Sequence, residues 1–146
     1  MLELAKTKAP QLQFIEGDAL RLPFAAGTFD GLTIGFALRN LSSVADGLAE
    51  LRRVLKPGGS VAILEFSQPT VPGIRQLVRF YYLGLLPLIG GWFSGSRGAY
   101  QYLPDSIARF PDQQQLADMM RAAGFADVRF ENLSGGIAAL HTGRSE

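Results

Sequence analysis

The sequence holds no cysteine, one tryptophan and one histidine. The missing thiols exclude disulfides, thiolate metal sites and a cysteine nucleophile, and they suit a reducing compartment such as the cytoplasm. A single imidazole, His141, is too few for a His-rich metal site. Charge of one sign is also lacking: 14 Lys and Arg stand against 13 Asp and Glu, a formal net charge of +1. That balance gives no footprint for nucleic acid. The apolar run FYYLGLLPLIGGWF at 80–93 falls short of the ~20 residues that span a bilayer, and Pro87 interrupts it. MLELAKTKAP has no apolar stretch behind it, so it is not a secretory signal. Repeats and low-complexity tracts are absent.

What is present is a globular composition. Apolar residues make up 47% and charged residues 18% of 146 positions, enough for one domain with a core. Residues 1–9 read as a helix ended before Pro10. LQFIEGD (12–18) reads as a short strand, LPFAAGTFD (22–30) as a loop, and FDGLTIGFAL (29–38) as a central buried strand. A helix follows, capped by Ser42 or Ser43. Its apolar face carries Val44, Leu48, Leu51 and Leu55, and Pro57-Gly58-Gly59 ends it. VAILEF (61–66) is a second buried strand. A Gly-, Pro- and aromatic-rich insert occupies 71–111. The next helix has Asp112 as N-cap and Gly124 just past its end. Residues 127–133 and 137–142 then form a hairpin about Ser134-Gly135-Gly136. Alternating strands and helices predict an α/β fold, a mostly parallel sheet with a C-terminal antiparallel hairpin.

In open α/β sheets ligands bind beyond the carboxyl ends of the strands. Three polar or small clusters fall there. Asp18 either accepts hydrogen bonds from a ligand or closes an Asx-turn on its own backbone. Gly35 allows close backbone approach. Arg39 and Asn40 are ligand-facing, or else an ion pair and a helix cap. Arg39 in any case requires an anionic or carbonyl partner. Glu65 is a base, a ligand anchor, or a salt-bridge partner of Arg75 or Arg79. His141 reads first as a structural residue. The 80–93 run is either a core segment or a greasy patch for an apolar tail or membrane surface. No G-x-G-x-x-G lies between a strand and a helix, which disfavours a dinucleotide-binding protein.

The segments GDALRLPFAAGTFDGLTIGFALRNL, LRRVLKPGGSVAILEFSQP and YQYLPDSIARFPDQQQLADMMRAAGF, with GGIAALHTG, resemble the ubiquinone/menaquinone C-methyltransferase family of S-adenosylmethionine-dependent enzymes. The resemblance covers nearly the whole chain, and ALRN, LEFS.P and Y.YLP.SI..FPD are its narrowest elements. It implies the class I methyltransferase sheet, with 12–18 as strand three, 29–36 as strand four, 61–66 as strand five and the hairpin as strands six and seven. It implies S-adenosylmethionine as cofactor, with Asp18 and Ala19 at the adenine and Gly35 near the methionine part. Relatives often carry Ser at the position of Gly35. It further implies that Arg39 and Asn40 face a prenylated quinol whose ring carbon is methylated, demethylmenaquinol above all. Peripheral membrane contact through 80–93 is expected, with no nucleic-acid partner and no metal.

The family's glycine-rich loop after strand one and its ribose-holding acid after strand two have no counterpart in these residues. The chain is therefore expected to act as a partial methyltransferase domain (1–146, with 71–111 as a substrate-covering insert). It should be weakly active or inactive alone, with strand four as a bare edge. The competing reading is a non-catalytic quinone- or lipid-binding module of the same fold.

Overall fold

The computed structural model describes residues 2–73, 76 and 106–146. Helix α1 is Leu2–Lys8, β1 is Phe29–Gly35, α2 is Val44–Val54 and β2 is Leu55–Phe66. Beyond the insert come α3 (Gln113–Ala122), β3 (Phe125–Leu133) and β4 (Ala138–Ser145). The sheet order is β1-β2-β4-β3. Strands β1 and β2 are parallel, as a helical crossover requires, and β4 runs antiparallel to both β2 and β3.

Alternation along β2 sets the two faces of this sheet. Val61, Ile63 and Glu65 point into the protein, whereas Ala62, Leu64 and Phe66 are half-buried. Against Val61 and Ile63 pack Leu48 of α2 and Leu116, Ala117 and Met120 of α3. Each fully buried Val, Leu, Ile or Met side chain of this set contributes about 1.5–3 kcal/mol. On the opposite face Gly31, Thr33, Ser60, Thr142 and Arg144 are exposed. The helix ends follow their local chemistry. Ser43 caps α2 through Asp46 N, and Asp112 and Gln115 form a reciprocal capping box on α3. Gly124 turns with φ 89° just past α3.

Several boundaries differ from the expected ones; the hairpin strands, expected at 127–133 and 137–142, are Phe125–Leu133 and Ala138–Ser145. Residues 12–18 form no strand: only an isolated bridge joins Asp18 to Arg21, and Leu12 and Ile15 are 59% and 53% exposed. A strand needs a paired neighbour, and among the described residues β1 pairs with β2 alone, so the expected bare edge is observed. Helix α2 stops at Val54, and Lys56-Pro57-Gly58-Gly59 belongs to β2 as a bulge between the pairs Phe29–Leu55 and Gly31–Ser60. A Cβ at Gly59 would lie 2.9 Å from Lys56 O and 3.1 Å from Asp30 O, so the bulge closes only without a side chain. Finally, β1 ends at Gly35 rather than at residue 38. Phe36 adopts φ 54°, and Leu38–Asn40 forms a 3-10 turn. The left-handed residue redirects the chain at the very place where the strand would have delivered Arg39.

Candidate active site at the strand exits

Gly35 is the last residue of β1 in register with β2, opposite Leu64. Two charged side chains therefore leave adjacent parallel strands at the same rim: Glu65 one residue beyond that pair, and Arg39 after the Phe36 turn. They meet. Arg39 Nη1 donates to Glu65 Oε1 at 2.5 Å and to Phe36 O at 2.7 Å. Glu65 Oε1 also accepts from Phe66 N at 2.9 Å, and Oε2 accepts from Arg39 N at 3.2 Å. The pair is buried, with side-chain exposures of 9% for Arg39 and 2% for Glu65.

The guanidinium carbon stands 5.1 Å from the centroid of the Phe66 ring, and the rings of Phe36 and Phe66 are 4.6 Å apart. Arg39 thus has both partners its chemistry required, an anion and a carbonyl. Among the described residues Glu65 is held by Arg39; Arg75 and Arg79 lie outside them. With both oxygens accepting from fixed donors, this carboxylate is poorly placed to act as a free base.

Asn40 is exposed and directs Nδ2 to Phe36 O at a long 3.5 Å. It does not cap α2; Ser43 does. Arg39 lines a cleft of about 490 Å³ together with Leu41, Ser42, Val44, Arg109 and Phe110. Sequence reasoning passed over Arg109. The only signal available was its place in SIARFPD, directly before the capped helix α3.

The Asp18 rim is held to α2 from a distance. Glu50 Oε1 accepts from Leu22 N at 2.7 Å, and Arg53 Nη2 donates to Leu22 O at 3.2 Å. The Arg53 guanidinium holds the Glu50 carboxyl below the ordinary glutamate range, against a smaller opposing effect of desolvation. Asp18 itself closes the Asx-turn, accepting from Leu20 N at 2.9 Å, and it is exposed. Ala19 lines a hollow of about 290 Å³ with Gln13, Ile15, Gly17, Leu22 and Phe24.

Whether these positions suit S-adenosylmethionine can be judged from the space around them. The walls beside Ala19 are largely apolar, as a flat purine face requires, and the exposed Asp18 carboxylate stands next to them. At Gly35 an added Cβ would meet no described residue within 4 Å, which leaves room for close approach of a ligand on that side. The residues fit the adenine end and one side of the group. Pro57-Gly58-Gly59, at the opposite end of β2, is remote from this rim.

His141 lies apart from this chemistry. It is 1% exposed, pairs with Ile63 and Phe130 across the sheet, and its Nε2 donates to Gln113 O at 2.9 Å. A carbonyl only accepts, so Nε2 carries the proton; the buried Nδ1 has no hydrogen-bond partner among the described residues. Burial pushes this imidazole below the ordinary value of 6.5, partly offset by the bond to Gln113. The unfolded chain then binds the extra proton first as pH falls through that value, so acid removes stability. Going from about pH 7.5 to about pH 5.5 should lower the melting midpoint, and His141→Gln should flatten that slope. Parallel slopes in scanning calorimetry would show that His141 is not the titrating group.

The same fold occurs in solved S-adenosylmethionine-dependent methyltransferases. One from Thermotoga maritima matches with TM-score 0.70 at 20% identity, covering 100% of this chain and 69% of its own. Another from Aquifex aeolicus gives TM-score 0.65 at 16% identity, over 99% and 63%. The [4+2]-cyclase SpnF also matches, with TM-score 0.70 at 20% identity over 99% and 62%. This fold therefore does not fix a chemistry. The class is the α/β methyltransferase-like fold. The family is narrower: residues 1–145 match the model of the ubiE/COQ5 methyltransferase family, and the chain belongs to it.

A ubiquinone/menaquinone biosynthesis C-methyltransferase of Paracoccus denitrificans is 48% identical over 139 residues, covering 95% of this chain and 56% of the relative. A demethylmenaquinone methyltransferase of Thermus thermophilus is 46% identical over 147 residues, covering 98% and 66%. The chain thus spans little more than half the length of the first of these relatives.

Proposed function

We propose that the chain takes part in S-adenosylmethionine-dependent C-methylation of a prenylated quinol ring, demethylmenaquinol above all. The observation that carries this reading is the Arg39–Glu65 pair at the strand exits, in a chain of this family. S-adenosylmethionine, when bound, supplies an electrophilic methyl group on a sulfonium centre. Asp18 and Ala19 would hold its adenine and the Gly35 backbone its methionine side.

The chain's own residues then have two tasks. One is to hold the ring so that its carbon faces the methyl group at near-attack distance, which alone is worth several kcal/mol. The other is to stabilise negative charge on the ring oxygen whose lost proton makes that carbon nucleophilic; Arg39 is the cation at hand. Asn40, at the exposed edge of the same turn, would orient a carbonyl or a water. A guanidinium is no proton acceptor, and the hydrogen-bonded Glu65 is a poor one, so the phenolic proton passes to water.

The prenyl tail would run along the insert, and 80–93 would touch the membrane surface. That segment lies outside the described residues, among which no helix is long and apolar enough to cross a membrane. Transfer of label from methyl-labelled S-adenosylmethionine to demethylmenaquinol tests the reading. The assay uses the chain joined to the portion of a relative that it does not span. Labelled menaquinol is the expected product. Label confined to another acceptor, or none with cofactor bound, would favour the non-catalytic module.

A further inference from the structure

The contact with Glu65 engages only one corner of the Arg39 guanidinium. Both hydrogens of Nη1 are committed, one to Glu65 Oε1 and one to Phe36 O. The other three N–H groups of an arginine lie on Nε and Nη2, which share the opposite edge of the planar group. Nε is buried without a hydrogen-bond partner, and Nη2 makes no hydrogen bond among the described residues. A buried donor left unpaired is costly, so this edge favours an incoming acceptor.

Its direction is not free to drift. Two acceptors hold Nη1, the carboxylate also grips the Arg39 backbone N–H, and the Phe66 ring lies 5.1 Å from the guanidinium carbon. The cleft that Arg39 lines also contains Arg109. Arg109, which makes no ion pair among the described residues, adds positive charge to the cleft lining beside Arg39. An anionic oxygen is the ligand such a site favours.

We propose that Glu65 is a positioning residue. It clamps one corner of Arg39 so that Nη2, which carries no hydrogen bond among the described residues and is not among the buried atoms, stands ready as a donor to an anionic oxygen of the ring to be methylated. This rests on the function proposed above and adds to it which face of Arg39 works and what holds it there. Glu65 contributes no proton transfer. Preorganised donors stabilise developing charge because they need not reorient as it forms. Releasing the Nη1 corner lets Nη2 turn away, and the ring oxygen then ionises less readily.

The test is a double-mutant cycle on the chain joined to the portion of a relative that it does not span. Turnover is measured against pH with demethylmenaquinol, beside melting midpoints and KM for the cofactor. Glu65→Gln should lower kcat about 10–100-fold and move the ionisation governing kcat to higher pH, with cofactor KM unchanged within about twofold. In an Arg39→Ala background the same change should cost less than about twofold, because Glu65 acts only through Arg39.

If the two losses multiply, or if Glu65→Gln is silent while Arg39→Ala is not, the positioning role is overturned and the proposed function stands. If the acid limb of the pH profile vanishes in Glu65→Gln, Glu65 is itself the base and the inference also fails. If Arg39→Ala retains full turnover, the proposed function's use of this site fails instead. Should Glu65→Gln not fold, Glu65→Asp keeps the charge but withdraws it by one methylene, and the same upward pH displacement is expected. A pH profile unchanged in Glu65→Asp would overturn the role.

Discussion

Replacing Arg39 with alanine is expected to lower turnover about 10²–10³-fold, the usual loss when a preorganised donor to a developing oxyanion is removed. Affinity for the cofactor should stay within about twofold, because the interaction proposed for Arg39 is one made to the ring oxygen. The geometry makes this a demanding test. Glu65 is 1% exposed, and without Arg39 its charge would be left buried with only backbone donors. Removing one partner of a buried pair costs about 3–5 kcal/mol, so the variant must be shown to be folded at the assay temperature.

Arg39→Lys separates the two effects. It retains a cation for Glu65 but offers no planar fork, so it should restore most of the stability and little of the turnover. If Arg39→Ala weakens cofactor binding as much as it slows turnover, Arg39 serves the cofactor or the fold, and the quinol-facing role is wrong.

The second large effect concerns the cofactor. The residues proposed for S-adenosylmethionine here, Asp18, Ala19 and Gly35, would address only the adenine end and one side. Titration calorimetry on these 146 residues alone should show no saturation at micromolar concentrations. Joining them to the portion of a relative that they do not span should tighten binding by about 100-fold or more, since about 2.7 kcal/mol of added contact suffices. Micromolar affinity in the 146 residues by themselves would mean that the described rim carries the cofactor unaided.

How far the sequence reached can be judged element by element. The caps of α2 and α3, Gly124 and the Ser134-Gly135-Gly136 reversal were legible, because capping and turn chemistry act within four residues. So were the parallel pair β1 and β2 and the antiparallel hairpin. Residues 12–18 misled, because an apolar stretch ending in Gly-Asp looks like a strand whether or not a neighbour exists to pair with it. Pro57-Gly58-Gly59 misled for a related reason. Its breaker residues serve equally to stop a helix or to make a bulge, and only the pairing of Phe29 with Leu55 decides which.

The site divided the same way. Arg39, Asn40, Gly35 and Glu65 were recognisable as rim residues from strand position alone. That Glu65 belongs to Arg39 was not, because the two are far apart in the chain and any arginine could have been its partner. By itself, then, the sequence determined the class of fold, the family, the caps and the list of side chains at the rim. Only the tertiary structure decided which charges meet and which nitrogens of Arg39 are left without a hydrogen bond among the described residues. Local propensity acts over one turn, whereas pairing across a sheet depends on register, and register exists only once the strands are assembled.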